Sequence, residues 1–99
     1  MVETKDLLVR REDGVLILTF NRPEHRNALT TDMLQRLGDE LAAAELDNEI
    51  GCVVLTGAGD KFFCAGADIS MLGQVTPRYK YFFCLHANET LARLEQTPK

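Results

Sequence analysis

The sequence predicts an α/β domain in which a β-hairpin is followed by β-α units. Three observations carry that prediction. Short runs rich in Val, Leu and Ile lie at Leu7 to Arg11, Val15 to Phe20 and Cys52 to Thr56. Two longer stretches, starting near Thr31 and Pro77, repeat apolar residues at helical spacing, and the two kinds of stretch alternate along the chain as βαβ units require. A chain of 99 residues supports a single core, so it makes one small domain at most.

Glu12-Asp13-Gly14 separates the first two runs, and Asp-Gly supplies the positive φ that a tight hairpin needs. Val15-Leu16-Ile17-Leu18 is apolar on both faces, as expected for a strand covered above and below. Asn21-Arg22-Pro23 breaks that strand. A loop then runs to Thr30 or Thr31, either of which can cap the next helix, with Asp32 well placed in its first turn. Met33, Leu34, Leu37, Leu41 and Ala44 draw one apolar stripe along a helix ending near Asp47, while Gln35, Arg36, Asp39, Glu40 and Glu45 form its wet face.

Cys52 to Thr56 reads as a second buried strand, closed by Gly57-Ala58-Gly59-Asp60. Lys61 to Cys64 reads as a brief strand entering Ala65-Gly66-Ala67-Asp68, with a short helix starting at Asp68. Pro77 suits the first turn of a last helix in which Tyr79, Phe82, Phe83, Ala87, Leu91 and Leu94 keep helical spacing. The loop before it, Gly73 to Pro77, either only connects two helices or borders a ligand.

Composition narrows the class of partner. The chain is 45% apolar and 26% charged, with a net charge of -4, and it has no long basic stripe to neutralise a duplex, so nucleic acid is excluded as the main partner. Its polar start at Met1 to Asp6 and the lack of a long apolar run point to no secretion signal and no membrane anchor. Cys52, Cys64 and Cys84 match neither a disulfide framework nor a paired metal site, and they read as reduced, mostly buried thiols of a cytoplasmic protein.

Gly57-Ala58-Gly59 invites a phosphate-loop reading and fails it. The third glycine of a dinucleotide loop is replaced by Phe62, and no Gly-Lys pair exists for a triphosphate loop. These glycines read as a turn after a strand. Phe63-Cys64-Ala65-Gly66-Ala67-Asp68-Ile69 is more telling, because small side chains leave the main chain open to a ligand. Gly66 can take a conformation closed to other residues, Ala67 exposes its N–H, and Asp68 can cap the following helix.

From Asp13 to Leu72 the chain resembles the amino-terminal part of the enoyl-CoA hydratase/isomerase (crotonase) family. The resemblance rests on Gly14-Val15 leading into Asn21-Arg22-Pro23-Glu24-His25-Arg26-Asn27-Ala28-Leu29, then Val53 to Gly59, then Phe63 to Ile69, in order and correctly spaced. It implies a partial crotonase-like fold of the ClpP/crotonase type, with residues 1–99 an amino-terminal fragment of an acyl-CoA-binding domain. It also implies binding of an acyl-CoA thioester, with coenzyme A as part of the substrate and no separate cofactor or metal. Full-length members of the family homo-oligomerise, often as trimers or hexamers.

The family stabilises an enolate on the thioester oxygen with two main-chain N–H donors, and the resemblance makes Ala67 the first of them. Ala65, Gly66, Asp68 and Ile69 then belong to the substrate-binding segment that also contacts adenine. By the same resemblance Glu24 to Leu29 follows the pantetheine and phosphates, with His25 and Arg26 as phosphate partners and Ala28 either packed under the loop or touching the ligand. Local positive charge lets a net acidic chain hold an acidic ligand.

By the same resemblance, the second oxyanion donor and the proton-moving glutamates lie beyond Lys99. None of Glu24, Glu40, Glu45, Glu49, Glu89 and Glu95 matches a catalytic position, so no general acid or base is assigned. The likeliest family reaction is hydration of a trans-2-enoyl-CoA, with a non-catalytic acyl-CoA-binding or interaction module as the alternative. Strands apolar on both faces in so short a chain also predict exposed apolar surface and self-association.

Overall fold

The structure is a computed structural model that describes residues 5–66 and 76–98. Its hairpin joins β1 (Leu7–Glu12) to β2 (Val15–Phe20), and the register pairs Glu12 with Val15, leaving Asp13-Gly14 as the two-residue turn. Both turn residues have positive φ, 50° and 80°, as the mirror-image turn of a twisted hairpin demands. After β2 comes one turn of 3-10 helix (Pro23–His25), then α1 (Thr31–Leu46) and β3 (Cys52–Gly57). Beyond the segment that is not described lies α2 (Pro77–Gln96).

The sheet order is β1-β2-β3, with β1 antiparallel and β3 parallel to β2. Parallel pairing of β2 with β3 needs a crossover, and α1 provides it. Thr30 caps α1 through its side-chain oxygen, which accepts from the Met33 N–H, and Asp32 stands in the first turn. The predicted stripe on α1 is buried: Met33, Leu37, Leu41 and Ala44 meet Leu7, Leu16, Leu18, Phe20 and Ile50 in one core. Ion pairs decorate the wet side, among them Arg36 with Glu40 on α1 and Arg11 with Asp47 at 2.5 Å.

α2 lies across α1. Thr90 is buried above Gly38, where an added Cβ would stand at an ordinary contact distance of 3.7 Å from the threonine oxygen. Thr76 caps α2 by accepting from the Tyr79 N–H.

Several expectations change. Lys61 to Cys64 is a bent loop and not a strand, because the Phe62 carbonyl is taken by a side chain and forms no ladder. Val15 and Ile17 are only half-buried, since α1 covers one face of β2. β3 is less covered still: Val53 and Leu55 pack partly on the core while Cys52, Val54 and Thr56 are exposed along an outer strand. The thiols follow suit, with Cys52 and Cys84 exposed and Cys64 half-buried against the core. On α2 the buried line is Phe83 and Thr90 flanked by half-buried Ala87 and Leu94, whereas Tyr79, Phe82 and Leu91 are exposed. Several large apolar side chains therefore face outward on α2, Tyr81 and Leu85 included, in line with the predicted exposed apolar surface. The short helix expected from Asp68 and the loop residues Gly73 to Val75 lie outside the described residues.

Candidate functional site

The candidate site gathers at the carboxyl ends of the parallel pair β2 and β3, the end of the strands outside which ligands bind in open α/β sheets. Two loops meet there. The first leaves β2 and winds tightly: His25 N–H bonds to the Arg22 carbonyl, Arg26 N–H to that of Pro23, and Asn27 N–H again to that of Arg22. Arg26 and Asn27 both sit in the left-handed region, at φ 56° and 58°, a conformation that asparagine tolerates better than most residues.

Asn27 is fully buried and holds the two loops together. Its Oδ1 accepts from the Arg22 N–H at 2.9 Å, and its Nδ2 donates to the carbonyls of Ala58 at 3.0 Å and Phe62 at 2.8 Å. Arg22, also buried, donates from Nη1 to the Ala28 carbonyl at 2.8 Å. Such side-chain bonds satisfy main-chain groups that the irregular loops would leave without partners.

Two main-chain bonds complete the junction. The Ala65 N–H donates to the Arg26 carbonyl at 3.1 Å, and the Leu29 N–H donates to the Gly66 carbonyl at 2.6 Å. Gly66 has φ 102°, which only glycine adopts readily, and it stands immediately before Ala67. Gly57 closes the floor: a Cβ there would fall 2.6 Å from the Phe62 carbonyl oxygen and 2.8 Å from Asn27 Nδ2, and against the Phe63 carbonyl as well.

His25 and Arg26 are exposed at the rim, and the Arg26 guanidinium lies 5.6 Å from the centre of the Phe62 ring. That stacking restrains an otherwise mobile side chain. Ala28 is buried under the loop, while Ala65 and Gly66 are exposed. Ala67, Asp68 and Ile69 lie outside the described residues. A cleft of about 260 Å³ runs beside Thr56, Gly59, Lys61 and Phe63, and a smaller one of about 130 Å³ lies between Pro23, Asn27 and Phe62. Among the described residues, no three His, Cys, Asp or Glu side chains are grouped to hold a metal ion, and no helix is long and apolar enough to cross a membrane.

Thus the structure joins the loop that carries His25, Arg26 and Ala28 to Ala65 and Gly66 through the main chain of Arg26 and Leu29. Sequence reasoning gave Asn27 no role, although an asparagine in a tight loop after Pro is itself a signal for left-handed backbone. Glu40, already set aside, is occupied by Arg36 at 3.0 Å.

Comparison with known proteins identifies the fold and the family. Residues 10–99 match the profile described as enoyl-CoA hydratase/isomerase. A short-chain-enoyl-CoA hydratase of Clostridium acetobutylicum is 36% identical over 98 residues, covering 99% of this chain and 38% of that protein. A 2,3-dehydroadipyl-CoA hydratase of Escherichia coli is 45% identical over 69 residues, covering 70% of this chain and 27% of that protein. Among solved structures, an enoyl-CoA hydratase from Bacillus anthracis superposes with a TM-score of 0.90 at 27% identity, over 96% of this chain and 37% of the other. A carnitinyl-CoA dehydratase from Mycobacterium thermoresistibile gives 0.90 at 34% identity, over 97% and 29%. The fold is thus part of the crotonase fold, and the chain spans less than two fifths of the length of these relatives. With its profile matched along nearly its whole length, the chain belongs to the enoyl-CoA hydratase/isomerase family.

Proposed function

We propose that this chain supplies one half of an acyl-CoA thioester site: the wall that holds the coenzyme A arm and the first of two oxyanion donors, the main-chain N–H of Ala67. The observation that supports this reading is the pairing of Arg26 and Leu29 with Ala65 and Gly66. It anchors the backbone up to the residue before Ala67, and it joins the loop that carries the exposed His25 and Arg26 to the small-residue loop. A donor held by a paired backbone needs no reorganisation when charge develops on the thioester oxygen. Asp68 and Ile69 belong to the same segment.

The reaction assigned to the complete active site is hydration of a trans-2-enoyl-CoA. Water addition needs a base at the β-carbon and a proton at the α-carbon, and none of the glutamates in this chain fills that role. Residues 1–99 alone therefore bind thioester without turning it over. A non-catalytic acyl-CoA-binding or interaction module is the second reading, favoured by the apolar residues exposed on α2.

Titration of the chain with trans-2-butenoyl-CoA, followed by calorimetry and by loss of the enoyl absorbance, tests both. Binding without hydration is the expected result. Ala67→Pro, which deletes the N–H, should weaken binding while Ala67→Gly preserves it. Full binding by the proline variant removes Ala67 as a donor, and hydration by the chain itself overturns the half-site reading.

A further inference from the structure

The Arg26 side chain ends beside an aromatic ring that the core does not use. Phe62 is 46% exposed and stands outside the buried cluster, whereas its neighbour Phe63 meets the core residue Phe20 edge to face, with ring centres 5.3 Å apart. Half-exposed, the Phe62 ring adds little to core packing and keeps a face for a cation. The guanidinium of Arg26 lies over that ring, 5.6 Å from its centre, and the residue borders both clefts at the carboxyl ends of β2 and β3.

Both partners of this contact are held by their main chain. The Phe62 carbonyl accepts from Asn27 Nδ2 at 2.8 Å. Arg26, at φ 56°, donates its N–H to the Pro23 carbonyl at 3.2 Å, and its own carbonyl accepts from the Ala65 N–H at 3.1 Å. What remains to be ordered is the long Arg26 side chain, and the ring restrains it. A ring contact does not consume the guanidinium's N–H donors, which stay available for the oxygens of an anion. Among the described residues, no carboxylate is paired with this guanidinium.

We propose that Phe62 is a positioning residue for the coenzyme A arm: its ring holds the Arg26 guanidinium in place before the ligand arrives, and Arg26 then pairs with a phosphate. The inference rests on the thioester reading above. An unrestrained arginine loses rotamer freedom when it captures a phosphate. A stacked one has already lost much of it, so the stack raises affinity without touching the ligand. Phe62→Leu keeps the main-chain bond to Asn27 and removes the aromatic face.

The test is a double-mutant cycle on the 99-residue chain, read by calorimetry with butyryl-CoA and with S-butyryl-pantetheine, which carries the same thioester and no phosphate. Phe62→Leu should weaken butyryl-CoA binding by about twofold to fivefold, the scale of an exposed cation–π contact, and leave S-butyryl-pantetheine affinity unchanged. In the Arg26→Gln background the same substitution should cause no further loss, and Phe62→Tyr should retain the affinity of the unaltered chain. One readout needs no variant, so a folding defect in Phe62→Leu does not shelter the idea: the ring current of Phe62 should shift the Arg26 δ-methylene protons upfield in the NMR spectrum of the free chain. Unshifted protons, full butyryl-CoA affinity in Arg26→Gln, an equal loss from Phe62→Leu in both backgrounds, or a loss that extends to S-butyryl-pantetheine each overturn the positioning role and leave the thioester site standing. If neither thioester binds, both fall.

Discussion

Asn27 and Phe62 are joined by a hydrogen bond of 2.8 Å, from the asparagine Nδ2 to the phenylalanine carbonyl, across 35 positions of chain. The same amide nitrogen reaches the Ala58 carbonyl, and the same side chain accepts from Arg22. One buried residue thus sets the relative position of the loop that carries His25 and Arg26 and the loop that leads to Ala67. The backbone bonds at Ala65 and Leu29 extend what Asn27 begins.

Asn27→Ala removes three hydrogen bonds from a buried position and leaves an L-residue at φ 58°. The expected loss is about 2 to 4 kcal/mol of unfolding free energy, read by urea titration. Asn27→Gly loses the same bonds but relieves the backbone, and it should be the more stable of the two by about 1 kcal/mol. Near-neutral behaviour of both variants would show that the loops hold their positions without this side chain.

Gly57→Ala drives a methyl into the carbonyls of Phe62 and Phe63 and into the Asn27 amide. Main chain cannot yield cheaply, so a loss of about 1 to 3 kcal/mol is expected, with weaker thioester binding. Gly59→Ala is the internal comparison: its φ of 85° is strained for alanine, but its nearest neighbour would be the Pro23 Cβ at 3.8 Å. The thermal midpoint should fall further for the first than for the second, and the reverse order would contradict the packing described here.

Alkylation should sort the cysteines. Cys52 and Cys84 are exposed and Cys64 is half-buried, so a maleimide should label two sites rapidly and the third slowly, as mass spectrometry of a time course would show. Equal rates at all three would mean that Cys64 is not packed on the core.

β3 has a paired neighbour in β2 and none on its other edge among the described residues, and Val54 is 40% exposed there. Outer strands of this kind recruit other strands, and a lysine is the usual deterrent. Val54→Lys should lower the sedimentation-average mass at high concentration and the binding of a hydrophobic dye. Unchanged association would direct attention to the exposed apolar residues of α2.

The hairpin and α1 were legible from local chemistry alone. Asp13-Gly14 dictates the turn, Thr30 or Thr31 the cap, of which the structure uses Thr30, and the Met33 to Ala44 spacing the buried stripe, because each depends on neighbours within a few residues. α2 was legible as a helix but not in its orientation: apolar residues lie on more than one of its faces, and only contact with α1 selects Phe83 and Thr90. Lys61 to Cys64 misled for a related reason, since strand-like composition does not provide a strand to pair with.

The order of the amino acids was enough for the α/β class, the hairpin and the two long helices, for these follow from periodicity, turn residues and short spacings, while the stretches that bear the family's motifs came from resemblance. Contact across the fold settled what periodicity has no means to express. Asn27 became the fastener of two loops, and the Cys52 and Cys84 thiols came to face outward, through residues distant in the chain and through which strand edge and helix face are covered. Burial and hydrogen-bond satisfaction are properties of the whole arrangement, so they become visible only when the partners have come together.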